Sequence, residues 1–198
     1  MTAAQRKLPA MMTVADFIDW PGDGTDTRYE LVDGVLRAMA PVSDTHGLIH
    51  TNLVYALKGH LDLNRPGCRV NITPGVQPRL RANWNFREPD LGVTCAPNLP
   101  GARMLPDPIL LIELLSPSNA DDTWANVPHY ASLPSVSEIL IVHTTSIRAE
   151  LLRRGHVGAW PENPTVIDEG GTVRLESIGL EFPLAEAYKG THLQERLG

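Results

Sequence analysis

Asp90, preceded by Pro89, and Glu113, inside the run Pro108-Ile-Leu-Leu-Ile-Glu-Leu-Leu-Ser-Pro-Ser118, are the residues whose type and setting best suit chemistry. Asp and Glu are rarely buried unless paired or bound to a metal, because lost hydration costs on the order of several kcal/mol or more. Glu113 lies between Ile112 and Leu114, and Ile109, Leu110, Leu111 and Leu115 complete an apolar run. Such a run reads as a strand buried on both faces or as a buried helix segment. Pro106, Pro108 and Pro117 limit it to strand length. An acid inside it needs a partner, and hard oxygen ligands from separate chain segments suit Mg²⁺ or Mn²⁺. Two carboxylates at the edges of two apolar strands are what a divalent-metal nuclease site requires. The competing account has Glu113 at a strand end, solvated or paired with an arginine.

The elements that must position these acids follow from periodicity. Thr13 is a candidate N-cap for a short helix through Trp20, with Val14, Phe17 and Ile18 on one face, and Pro21-Gly-Asp-Gly24 ends it. Tyr29 to Val32 and Val35 to Met39 flank Asp33-Gly34, a hairpin signal. A second helix begins near Ser43 or Thr45, carries Leu48, Ile49, Leu53, Leu57 and Leu61 as its stripe, and stops at Pro66-Gly67. Strands are predicted over Cys68 to Ile72, Val76 to Leu80, Glu88 to Cys95 and Ile109 to Leu115. A helix over Asp121 to Leu133 follows, with Pro128 near its first turn or kinking it. Val136 to His143 is a further apolar strand, and Ile147 to Arg154 alternates as a surface strand does. In the tail, Asp168-Glu-Gly-Gly-Thr172 is a turn between short strands. The pattern is α/β, mixed α+β, with a mixed sheet and an N-terminal β-hairpin. No repeat or linker divides residues 1–198, so one domain is expected.

Composition narrows the class. With 198 residues, 42% of them hydrophobic, the chain can bury one substantial core. No stretch approaches the roughly 18 apolar residues of a membrane span, and the opening MTAAQRKLPAMM has no apolar region of the secretory kind. A soluble cytoplasmic protein with no membrane partner is expected. Cys68 and Cys95 read as small buried hydrophobes, without a disulfide or zinc spacing. The net charge of −6 argues against a broad basic binding face. Arg79, Arg81 and Arg87, and Arg148, Arg153 and Arg154, form either a phosphate-contacting rim or an ordinary solvated surface.

Five pieces in series carry a resemblance: YELVDG at Tyr29 to Gly34, a proline-to-histidine helix start at Pro41 to His46, Pro89-Asp-Leu91, ELLSPS at Glu113 to Ser118, and Tyr130 ahead of SVSEILIV at Ser135 to Val142. In order and spacing they resemble the Uma-two-type restriction endonuclease family, over roughly residues 13 to 155. The resemblance implies a restriction endonuclease-like core of the PD-(D/E)XK superfamily, a mixed central sheet flanked by helices with metal-binding acids at strand ends. It makes Asp90 and Glu113 the Mg²⁺ or Mn²⁺ ligands, adds Glu30 from the hairpin as a further catalytic acid, and sets His46 at the start of the helix beside the site. The implied reaction is metal-assisted hydrolysis of DNA phosphodiester bonds, with a homodimer to cut both strands.

One part of the pattern is missing. Leu115 stands where the superfamily has its lysine, and Asn126 stands where members of the family often carry it, four residues before the tyrosine. Lysine occurs only at positions 7, 58 and 189. Three accounts follow. Asn126 or a nearby polar group orients the attacking water in its place; Lys58 reaches in, although at about 1.5 Å of rise per residue it lies roughly 18 Å along the helix from His46; or the chain is a degenerate nuclease that binds metal, nucleic acid or a protein partner without cleavage. Other residues also carry two readings. His46 contacts metal or phosphate at a helix start or is a surface histidine. Glu30 serves the site or pairs with Arg28 or Arg37. Ser116 and Ser118 lend hydroxyls or form a strand-to-helix turn. Asp121 and Asp122 hold a second metal or complement the helix dipole. Trp84, Trp124 and Trp160 stack bases or fill core.

Overall fold

The computed structural model describes residues 8–195. Helix α1 (Val14–Asp19) opens with a reciprocal capping box in which the Thr13 hydroxyl accepts from the Asp16 N–H and the Asp16 carboxylate accepts from the Thr13 N–H. Strands β1 (Tyr29–Val32) and β2 (Val35–Ala38) form the hairpin. Asp33 and Gly34 both adopt positive φ, 51° and 86°, as a two-residue turn matched to strand twist requires. Helix α2 (Asp44–Asn64) starts at Ser43, whose hydroxyl accepts from the His46 N–H at 3.2 Å.

A six-stranded sheet follows, in the order β3 (Arg69–Ile72), β4 (Leu91–Thr94), β5 (Pro108–Leu115), β6 (Glu138–His143), β7 (Arg148–Arg153) and β8 (Thr165–Asp168). Only the β5–β6 pair is parallel, and α3 (Ala120–Ala131) makes the crossover between them. The sheet is therefore mixed and flanked by helices on both faces. Ile49, Leu53, Leu57 and Leu61 of α2 pack with Leu110, Ile112 and Leu114 of β5. On the other face, Tyr130 of α3 packs with Leu111, Leu115, Ile139 and Ile141. The two-residue alternation of β5 thus directs Glu113 toward α3. A second hairpin, β9 (Thr172–Leu175) and β10 (Leu180–Pro183), and the terminal helix α4 (His192–Glu195) close the α2 side.

Several expectations are corrected. Cys68 and Cys95 are joined in a disulfide, and Cys95 is exposed rather than a buried hydrophobe. The register explains the pairing, because Arg69 lies opposite Thr94 and the next residues outward are the two cysteines. Val76 to Leu80 is not a strand; Val76 makes one isolated bridge to Arg87, and Pro74 and Pro78 deny the segment ladder donors. Pro128 sits late in α3, whose next turn ends where the Ser132 N–H caps the Pro128 and His129 carbonyls. Leu48 is only partly buried, and β7 is an interior strand between β6 and β8, not a surface one. The tail turn links β8 to β9, but β9 pairs with β10.

Candidate active site

The register of β4 and β5 sets Leu91 opposite Ile112, and its continuation by one residue sets Asp90 across from Glu113. Asp90 is held from two directions. Its Oδ2 accepts from the Leu114 N–H at 2.7 Å, and its Oδ1 lies 3.1 Å from His46 Nε2. One turn further along α2, His50 Nε2 reaches the Asp90 carbonyl at 3.1 Å. His46 is buried, and its Nδ1 has no hydrogen-bond partner.

Glu113 accepts at one oxygen from two α3 side chains, the Tyr130 hydroxyl at 2.6 Å and Asn126 Nδ2 at 3.3 Å, both onto Oε1. Asn126 and Tyr130 are four residues apart and so share a helix face. Burial, then the Asp90 charge beside it, pushes the Glu113 carboxyl well above the ordinary carboxylate range, and the Tyr130 hydrogen bond opposes that shift. The Tyr130 phenol is driven up for the same reason, buried next to the acid it serves.

Glu30 reaches the same cleft from β1. Leu31 exchanges two backbone hydrogen bonds with Phe86 at 2.9 Å, which docks the hairpin, and Glu30 then accepts from the Glu88 N–H at 2.6 Å. Burial raises its carboxyl too, against the nearby charges of Arg87 and Arg37. Neither arginine proposed for it forms an ion pair with it: Arg28 pairs with Glu88, and Arg37 reaches across to Asp122.

Asp90, Glu113, Glu30, Asn126, His46, Ser116 and Ser118 all line one cleft of about 700 Å³. Ser116 and Ser118 hydroxyls stand 3.0 Å apart, and Asn119 Oδ1 accepts from the Ser116 N–H at 2.6 Å, so this segment is also a structured turn. Asp122 lines the cleft and Asp121 does not. No tryptophan lines it; Trp160 stacks under Arg154 and donates to the Ala131 carbonyl. The arginine rim is not assembled: Arg81 pairs with Asp33, Arg87 is buried, Arg148 and Arg153 pair with acids, and Arg154 ties down three carbonyls. Lys58 pairs with Asp62 on the exposed side of α2, Lys189 pairs with Glu186, and Lys7 lies outside the described residues. No described lysine lines the cleft. Sequence reasoning passed over Tyr130 as a site residue and Arg37 as a cleft cation. The i,i+4 spacing from Asn126 pointed to the first; the hairpin register sets Arg37 opposite Glu30, but that this face meets α3 is a long-range contact with no local signal.

The donor set fits a hard divalent cation. Two acids face each other in a poorly solvated place where burial and the Asp90 charge raise the Glu113 carboxyl, and Mg²⁺ is commonly bound through one or two carboxylates with water and substrate phosphate completing the shell. Among the described residues no three His, Cys, Asp or Glu side chains are grouped to cage an ion by themselves.

The fold has a solved counterpart. The crystal structure of a "putative nuclease belonging to DUF820" from Anabaena variabilis superposes with a TM-score of 0.70, at 15% identity, over 89% of this chain and 97% of that one. An uncharacterized protein of Synechocystis sp., slr1290, is 28% identical over 179 residues, spanning 88% of this chain and 90% of the relative. The family model that matches, over residues 14–185, is Uma2, described as "Putative restriction endonuclease". That match includes Asp90 and Glu113 and runs past the last motif through the β9–β10 hairpin, and the chain belongs to the Uma2 family.

Proposed function

We propose that the protein is a divalent-metal-dependent nuclease that hydrolyses DNA phosphodiester bonds in the cleft between the β1–β2 hairpin, the start of α2 and the start of α3. The observation that carries this reading is the opposition of Asp90 and Glu113 across β4 and β5, both directed into one cleft, with no described cationic side chain neutralising Glu113. Asp90 and Glu113 would hold Mg²⁺ or Mn²⁺, which when bound polarises a phosphodiester and acidifies water. The chain's own contribution is orientation. The Leu114 N–H and His46 fix both Asp90 oxygens, while Tyr130 and Asn126 load Oε1 of Glu113 and leave Oε2 without a hydrogen bond among the described residues. Glu30 adds a third acid at the cleft wall, and the Ser116 and Ser118 hydroxyls offer donors to a phosphate. Two copies of the chain would bring two such clefts to a duplex.

A second reading has one observation in its favour. Leu115 is packed in the core, Asn126 is neutral, and no described lysine lines the cleft, so a protein that binds metal, nucleic acid or a partner without cutting would share this geometry. Calorimetric titration of Mg²⁺ and Mn²⁺ into the wild type and the Asp90→Ala/Glu113→Ala double variant, with plasmid nicking scored in the same buffers, separates the two. Binding and nicking that both vanish in the variant support the nuclease. Binding without nicking favours the second reading, and absence of binding sinks the metal site.

A further inference from the structure

We propose that Arg37 is the catalytic cation of this cleft, supplying to the scissile phosphate the positive charge that Asn126 lacks; the inference rests on the nuclease reading above.

Three relationships place it. Glu30 and Arg37 are directly opposed in the β1–β2 register, so their side chains leave the hairpin on the same face, and that face is the cleft wall. From there Arg37 Nη1 donates to Asp122 Oδ1 in the first turn of α3. Asp122 stands four residues before Asn126, one turn along the same helix face, about 6 Å of rise. The guanidinium therefore bridges the hairpin wall and the first turn of α3, one turn from Asn126, arriving from the hairpin instead of from α3.

Arg37 lines the cleft with most of its bonding capacity unused among the described residues. A guanidinium carries five N–H donors in a planar fork that matches phosphate bidentately. Arg37 uses one group, Nη1, on Asp122, and makes no other side-chain hydrogen bond among the described residues. Both partners are about half exposed, with side-chain exposures of 42% and 49%, so the pair contributes little to stability. An incoming phosphate can take over the guanidinium at small cost. The other basic side chains in or near the cleft are differently committed. His46 is bound to Asp90, and the ring of His192 lies 3.3 Å from the Thr45 hydroxyl. Arg87 is buried, bonded to Asn85 and His129, and does not line the cleft. Arg37 would stabilise the charge that develops on the phosphoryl oxygens as the nucleophile adds, without exchanging a proton.

The test uses wild type, Arg37→Ala, Arg37→Lys and the double variant Arg37→Ala/Asn126→Lys. Readouts are metal-dependent nicking rates, Mg²⁺ calorimetry, and affinity for a duplex oligonucleotide in Ca²⁺. Arg37→Ala is expected to slow nicking about 100-fold or more in kcat, the scale of losing one electrostatic stabiliser, with Mg²⁺ affinity unchanged. Arg37→Lys recovers part of the rate, and Asn126→Lys in the alanine background recovers at least about tenfold by restoring the charge from α3, which a merely structural role for Arg37 does not allow. Nicking by Arg37→Ala within about threefold of wild type overturns the assignment. A wild type that binds Mg²⁺ but cuts nothing sinks the nuclease reading instead. The duplex affinity then decides for Arg37 as a phosphate contact, a loss of about tenfold or more in Arg37→Ala supporting it and a change within threefold overturning it.

Discussion

The Tyr130 hydroxyl donates to Glu113 Oε1 at 2.6 Å, and both side chains are buried, so α3 holds the acid of β5 from behind while the cleft opens in front. The bond favours the ionised carboxylate against burial and against Asp90. Tyr130→Phe removes it and leaves the carboxylate with Asn126 alone. The expected cost is about 1–2 kcal/mol in unfolding free energy at neutral pH, read from denaturant midpoints. Mg²⁺ affinity should fall about tenfold or more, since a ligand that loses its supporting donor is worse placed and harder to ionise. Unchanged Mg²⁺ affinity in a folded Tyr130→Phe protein would remove Tyr130 from the site.

The Glu113 shift sets a pH dependence whose sign is fixed. Burial and the Asp90 charge hold its folded-state value well above the ordinary carboxylate range, so the folded chain holds the proton more tightly than the unfolded one. Stability from this group is fully present below the ordinary carboxylate range and is lost as pH rises through the raised value. Metal-free wild type should therefore lose stability relative to Glu113→Gln as pH rises above about 4.5, by up to about 1.4 kcal/mol per pH unit within the window. Mg²⁺ should flatten the curve, because binding requires the ionised form. Unfolding midpoints of both proteins across pH, in EDTA and in Mg²⁺, check this. A constant difference would mean that Glu113 titrates normally in the folded chain.

Several residues that line this candidate site are legible in the sequence, for identifiable reasons. Glu113 stood out because an acid in an apolar run has few alternatives, Asp33-Gly34 announced its turn through local chemistry, and the helix start expected near Ser43 or Thr45 falls at Ser43. The relationships that were not legible are those made between distant segments. Nothing local in Arg37 shows that β2 will face α3, and nothing near Cys68 shows that β3 and β4 will pair in the register that brings Cys95 beside it. Val76 to Leu80 misled because its apolar residues fit a strand, whereas Pro74 and Pro78 leave it one bridge to Arg87. That bridge still serves the site by fixing the segment beneath Glu30.

Gly75, next to that bridge, supplies a prediction joining packing to the cleft. A Cβ there would lie 2.2 Å from Phe86 Cζ and 2.8 Å from the Arg103 carbonyl oxygen. The Arg103 carbonyl can yield only by moving backbone, and the Phe86 ring is buried in a packed cluster beside Leu31, which adjoins Glu30. Gly75→Ala should cost about 1–3 kcal/mol of stability, as overpacked cores do. It should also lower nicking, since the Glu30 wall shifts with the hairpin. Gly22→Ala is unsuitable as a control because its φ of +82° is itself strained, whereas Gly59→Ala on α2 meets nothing within 4 Å and should be neutral or mildly stabilising. Equal thermal midpoints for Gly75→Ala and wild type would rule out the contact.

The Cys68–Cys95 bond closes a loop over a sequence separation of 27, and that loop contains β3, the Val76 bridge, Phe86, Asp90 and β4. Restricting such a loop in the unfolded chain stabilises a protein typically by about 2–4 kcal/mol. The bond also secures β3, an edge strand of four residues held in the sheet by β4 alone. Reduction, or Cys68→Ser/Cys95→Ser, should therefore lower the unfolding midpoint by the equivalent of about 2–4 kcal/mol. Mg²⁺ affinity at a temperature where both forms are folded should change little, because the Asp90 carboxylate is anchored by Leu114 and His46 rather than by β3. Thiol titration before and after denaturation, paired with melts in the presence and absence of reductant, measures both halves. Two titratable thiols in the unreduced, denatured protein would show that the bond does not form. A large loss of Mg²⁺ affinity on reduction would instead show that β3 holds the site as well as the sheet edge.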